Sequence, residues 1–196
     1  MNKRFHYILL LILAVSFALA LGGCNKSDDD DDNDNGDDDN DDFTATLITF
    51  TPTGSPQAGD IWLELEPDLK ENSFILSVHG NAIEETYGVA GRLLFDRDLA
   101  SLDSAMAGDA LAGNDAQIKA LGGSNDQGAV FGFSRSGDYT HSVTLDASKI
   151  IGTLQFTVTA AGETDITFNE DRSVILNHDF EPAEVNNWLG GTLVVE

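Results

Sequence analysis

The chain has 196 residues, one cysteine and a formal net charge of -24, with 34 acidic residues against 10 Lys and Arg. So few cations cannot form a face that displaces phosphate counterions or adheres to anionic lipid, which excludes nucleic-acid binding and direct electrostatic membrane attachment. A single cysteine excludes an intrachain disulfide framework.

Met1-Asn2-Lys3-Arg4 is a short cationic start, and Tyr7 to Leu21 is almost wholly apolar. This is an export-signal pattern, too short and wrongly flanked for a permanent span. It ends in Leu21-Gly22-Gly23-Cys24, one apolar residue and two small ones before the cysteine. The stretch resembles a bacterial lipoprotein signal, whose lipobox closes on the cysteine that is diacylated and becomes the mature N-terminus. Gly22 stands where alanine or serine is commoner. The resemblance implies a signal peptide over 1–23, lipidation of Cys24 and a place in the cell envelope, at the outer membrane or cell surface. Two or more acyl chains anchor a protein stably, whereas one binds marginally.

Residues 24–42 form the second segment. Asp28 to Asp42 contains only Asp, Asn and Gly, with eleven aspartates. It has nothing apolar to bury and repels itself, so it is expected to be a disordered linker. Its 15 residues, at no more than ~3.6 Å each, reach at most about 50 Å. An acidic stretch after a lipidated cysteine also resembles the surface-export signals of some Gram-negative lipoproteins. Asp31, Asn33, Asn35, Gly36 and Asp42 fall at positions 1, 3, 5, 6 and 12 of an EF-hand-like calcium loop. Composition alone nearly guarantees that match. No amphipathic helix flanks it, and a solvated spacer is the simpler reading.

From Phe43 onward the apolar pattern alternates. Phe43–Phe50 is rich in Thr, Phe and Ile; Ile61, Leu63 and Leu65 alternate with Trp62, Glu64 and Glu66; Phe74, Leu76 and Val78 alternate with Ile75, Ser77 and His79. Further strands are predicted over 89–95, 129–135, 150–159, 165–168, 173–176 and 191–195, separated by Gly, Asn, Asp and Pro. Residues 113–121 read as the one short helix: Asn114 or Asp115 caps it, Ile118 and Leu121 share a face, and Gly122-Gly123 ends it. About eight or nine short strands with almost no helix predict an all-β, antiparallel β-sandwich over 43–196. A unit of that size buries roughly 70% of its unfolded surface and needs no metal to fold.

Tyr87-Gly88-Val89-Ala90-Gly91-Arg92-Leu93-Leu94-Phe95-Asp96-Arg97-Asp98-Leu99 is similar to a cohesin segment in which an alternating strand ends in an aromatic-Asp pair, a turn and a leucine. Ala107-Gly108-Asp109-Ala110-Leu111 follows where cohesins carry a Gly-x-x-Leu element. Gly152–Ala160 resembles their Leu-x-x-Ile/Leu-x-Phe-x-Val strand, Gly162–Ile166 the turn and strand after it, and Gly190–Val195 their closing strand. Arg97 departs from the family's usual proline. The resemblance implies a nine-stranded jelly-roll sandwich related to cellulose-binding modules, and a dockerin-type protein partner. It carries over no contact residue.

Catalytic signatures are lacking. His79, His141 and His178 show no metal-ligand spacing, and Gly132-Phe133-Ser134-Arg135-Ser136 lacks the last glycine of a nucleophile elbow. Abundant carboxylates identify no glycosidase. No enzyme activity and no cofactor are therefore expected. Trp62 is out of phase with the apolar residues of its strand, which offers a stacking platform, and Tyr87, Tyr139 and Trp188 lie beside turns and can join it. The alternative is that Trp62 is covered and Trp188 plugs the sandwich. The loops Asp96-Arg97-Asp98 and Asn169-Glu170-Asp171 offer oxygen ligands for a structural calcium, or simply solvated surface. Three functions follow: a lipid-tethered module capturing a dockerin-type partner, a carbohydrate-binding module holding polysaccharide through Trp62, or a structural envelope lipoprotein.

Overall fold

The computed structural model describes residues 43–67, 70, 72–112, 117–126, 128–136 and 141–196. Cys24, the acidic run with Asp31, Asn33, Asn35 and Asp42, and Tyr139 lie outside them. Two sheets face each other. One orders β1 (Ile48–Pro52), β12 (Gly191–Val195), β9 (Gly162–Phe168), β4 (Gly88–Leu94), β7 (Gly128–Ser136) and β6 (Gln117–Asn125), with β10 (Val174–Leu176) also paired to β4. The other orders β11 (Asn187–Leu189), β2 (Asp60–Leu65), β3 (Ser73–Gly80), β8 (Ile150–Val158) and β5 (Ala100–Ala107). This is the all-β sandwich that the alternating pattern predicts, in the jelly-roll form that the resemblance implies. Among the described residues the only helix is a 3₁₀ turn over Glu170–Arg172, and no helix is long and apolar enough to cross a membrane.

Alternation along the strands builds the core. Leu63, Phe74, Leu76, Val78, Leu154 and Phe156 of one sheet meet Val89, Leu93, Phe131, Phe133, Ile166 and Leu193 of the other, all buried. Phe74 stacks on Phe156 at 5.0 Å, and Phe95 meets Phe156 edge-on at 5.5 Å. The sheets come close enough at Gly152 that a Cβ there would stand 2.3 Å from the Phe133 ring.

The edge of β4 is shared. Residues 88–90 pair with β10, while Leu93 and Leu94 pair with β9. The 3₁₀ turn lies between these partners in sequence, so β10 comes in as a short strand beside the first half of β4.

The helix expected over 113–121 is not there. Its first residues, 113–116, lie outside the described set, and from Gln117 the chain is β6, paired with β7 from Gln117↔Ser136 to Asn125↔Gly128. A helix of nine residues is marginal without a packed face. A full-length ladder with β7 satisfies the same backbone groups, and tertiary pairing overrides the Ile118–Leu121 spacing. The nine predicted strands are present, and β5, β6 and β11 bring the total among the described residues to twelve.

Candidate functional site

The register of the seven-stranded sheet creates an unusual outer face. Cross-strand pairs align Lys119, Ser134, Gly88 and Leu176 in one row, and Leu121, Gly132, Ala90 and Val174 in the next. Residues between these rows point inward, where Phe133, Val89 and Ile175 are buried. Within these two rows the middle strands, β4 and β7, therefore present only Gly, Ala and Ser outward, while β6 and β10 raise larger side chains on either side.

The result is a trough of about 380 Å³, lined by Gly88, Ala90, Lys119, Leu121, Gly132, Ser134 and Leu176 among others. A Cβ added at Gly132 would meet only the Ala90 Cβ, at 3.9 Å, so the floor is open to solvent. Leu121 on one wall is 65% exposed. Neighbouring strands lie ~4.8 Å apart, which sets the walls about 14 Å from each other. An α-helix with its side chains is about 10–12 Å across.

At one end the β10 wall runs into a hairpin. The Phe180 N–H donates to the Asn177 carbonyl at 3.0 Å, and the Asn177 N–H donates to the Glu181 carbonyl at 2.9 Å. The Asn177 side-chain oxygen accepts from the Asp179 and Glu181 N–H groups, each at 2.9 Å. Phe180 occupies the left-handed position of this three-residue loop, at φ 62°. Glycine is favoured there, and an L side chain costs about 1–2 kcal/mol. The Phe180 ring meets Tyr87 edge-on at 5.7 Å and is 48% exposed.

Of the aromatic residues singled out from the sequence, the three described ones, Trp62, Tyr87 and Trp188, do not share a surface. Trp62 does lie on the outer side of its strand with Glu64, but it is only 8% exposed, so it is not the open platform expected. Its cross-strand partner is His79, and the two rings stack at 5.2 Å with an interplanar angle of 14°. His79 is held in turn by Ser77 Oγ, 2.9 Å from Nε2. Tyr87 is buried at 2% exposure, and Trp188 packs on Phe168 at 5.1 Å. Parallel pairing of β11 with β2 sets Trp188 opposite core-facing Ile61. That register turns Trp188 toward the interior.

The loops named as calcium candidates lie at a turn after β4 and at the 3₁₀ turn. Asp96 Oδ1 accepts from the Asp98 N–H at 2.9 Å, and Asn169–Asp171 leads into the 3₁₀ turn. Among the described residues no group of three or more His, Cys, Asp or Glu is placed to hold a metal ion. Gly132 to Ser136 lies within extended β7, not at a strand-to-helix elbow.

Sequence reading overlooked the trough because Lys119 and Leu121 were placed on a helix. The available signal was in β7, where Phe131 and Phe133 alternate with Gly132 and Ser134. One face of that strand is heavy and the other almost bare.

No protein-family model and no curated protein matches the chain. Solved structures do match in fold. A type II cohesin domain from the cellulosome of Acetivibrio cellulolyticus aligns with TM-score 0.56 at 10% identity, over 70% of this chain and 95% of that one. The second type II cohesin module from the adaptor ScaA scaffoldin of the same organism gives 0.54 at 14% identity, over 70% and 91%. A chain of a type II cohesin–X-dockerin complex from that organism gives 0.51 at 11% identity, over 66% and 92%. The chain thus has a cohesin-like fold.

Proposed function

We propose that the chain is a protein-capture module, not an enzyme, which takes a helical, dockerin-type partner on the trough across β10, β4, β7 and β6. The observation that carries this reading is the bare two-strand floor of Gly88, Ala90, Gly132 and Ser134 between raised walls. A helix resting there buries Leu121 and Leu176 while its backbone comes close to the sheet. The likeness to a cohesin crystallised with an X-dockerin supports the choice of partner class. The carbohydrate-binding alternative requires a shared aromatic platform, which Trp62, Tyr87 and Trp188 do not form.

We further propose that Cys24 carries the lipid that holds the module at the cell envelope, with the acidic run as spacer. The support is the Leu21-Gly22-Gly23-Cys24 pattern behind its apolar segment.

The partner reading is tested by titrating the dockerin-bearing chains of the source genome against the immobilised full chain. Gly132→Arg fills the floor and Leu121→Asp places a charge on a wall, both at open positions that leave the core untouched. Each is expected to weaken capture at least roughly tenfold, about 1.4 kcal/mol, with circular dichroism unchanged. Capture indifferent to both substitutions, or retention of polysaccharide and no dockerin, would overturn the proposal.

A further inference from the structure

Backbone strain among the described residues includes the hairpin at one end of the trough. Four non-glycine residues have positive φ: Asn72, Ala82, Glu85 and Phe180. Three of them lie on segments that meet at Tyr87. Ala82 and Glu85 lie in the loop that leads into it, and Phe180 lays its ring edge against it. Strain of this kind persists where the surroundings impose it, and it collects at ligand-binding and switching sites.

Phe180 is the most informative of the three. The Asn177 side chain already fixes the turn through two N–H groups, and Asn177 exchanges backbone bonds with Phe180 and Glu181. Glycine at 180 would satisfy the same loop with less strain. The chain instead places there a large aromatic ring, half of it in water, braced by Tyr87. Tyr87 also ties the hairpin to the trough, because its N–H donates to the carbonyl of Leu176, which lines the wall.

We propose that Phe180 is the aromatic anchor that sets partner specificity at this end of the trough, and that it receives a helix whose facing end carries Lys or Arg. The proposal rests on the docking reading above and adds the chemistry of the partner. Aromatic side chains, Phe among them, are enriched at the buried core of protein interfaces. The sign of the partner's charge follows from complementarity: Asp179 and Glu181, both exposed, flank Phe180 in the hairpin, and Glu84 and Glu85 are exposed in the loop that leads into Tyr87. A helix with a basic end at the hairpin matches that distribution. An acidic helix end placed there would oppose like charges.

The test uses the full chain and a displayed library of three-helix bundles with one randomised helix face, alongside the dockerin-type modules. Four forms are compared: wild type, Gly132→Arg, Phe180→Gly and the pair Asp179→Lys with Glu181→Lys. Helices selected on the wild type are expected to be enriched in Lys and Arg at one end. They should lose roughly tenfold or more in affinity to Phe180→Gly and to the charge-reversed pair. The melting temperature of Phe180→Gly is expected to hold or rise. If affinity falls with Gly132→Arg and not with Phe180→Gly, the trough stands and the anchor is overturned. A large loss of melting temperature in Phe180→Gly with affinity unchanged gives Phe180 a structural role and also overturns it. Binders indifferent to Gly132→Arg, or no enrichment over blank support, overturn the docking reading itself.

Discussion

Gly152 and Gly132 stand on opposite sides of the same packing problem. A methyl group at Gly152 would press into the Phe133 ring, and Phe131, with its ring centre 5.6 Å from that of Phe133, limits the room for retreat. Gly152→Ala is therefore expected to cost about 1–3 kcal/mol, as overpacked cores do, read as a lower urea midpoint. Gly132→Ala meets open space and should stay within ~0.5 kcal/mol of wild type. Equal midpoints for the two variants would contradict the tight approach of the sheets. Asp146 offers a second test at this scale. The Ser148 backbone N–H and then its hydroxyl donate to the carboxylate, and with Lys149 nearby they hold its pKa below the ordinary aspartate value. With a lowered folded-state pKa, the stabilisation is complete above the unfolded-state value and fades as pH falls through the folded one. Ser148→Ala should move the Asp146 titration upward, observable by NMR. An unmoved curve would leave the hydroxyl without a role.

Strands β5 and β6 explain why some elements escaped the sequence. β5 lacks clean alternation because its pairing with β8 shifts register between Leu102 and Ser104. Such a bulge inserts a residue and resets the phase, so Ala100 and Leu102 are buried while Met106 is exposed. β6 looked helical because Ile118 and Leu121 are three apart, and only its ladder with β7 decides otherwise. The two strands meet at the open side of the sandwich. Ser124 Oγ accepts the Leu102 N–H at 2.7 Å, and the hydroxyl donates to the Leu102 carbonyl at 3.3 Å. Ser124→Ala should cost roughly 0.5–1.5 kcal/mol and speed hydrogen exchange at the Leu102 amide. Unchanged exchange would show that the bridge does not close this side.

Charge sets the terms for the whole molecule. Residues 43–196 still hold 23 acidic residues against seven basic ones. A surface of that sign repels anionic polymers and membranes and favours a partner with a cationic end. It also gives the proposed lipid at Cys24 a physical role, since the protein surface itself cannot adhere to anionic lipid. Cys24→Ala in the full chain is expected to abolish fatty-acid incorporation and shift the protein from the membrane to the soluble fraction, with globomycin blocking processing of the wild type. Unchanged processing and location would sink the anchor.

Period-two alternation from Phe43 onward, with turn residues between the runs, was enough by itself to determine an all-β sandwich. Alternation reports directly that one side of each strand is dry. The cohesin-like spacing around Tyr87–Leu99 and Gly152–Ala160 was legible for the same reason, because it is written in strand lengths and turns. Tertiary structure alone decided what lies above each outward face. Trp62 was on the outer side as its phase indicated, yet its covering comes from His79, 17 residues away and brought opposite by strand pairing. The trough likewise joins four strands spread from Gly88 to Leu176. A strand's own sequence states which side chains share a face, whereas the depth of that face depends on the neighbours that register places beside it.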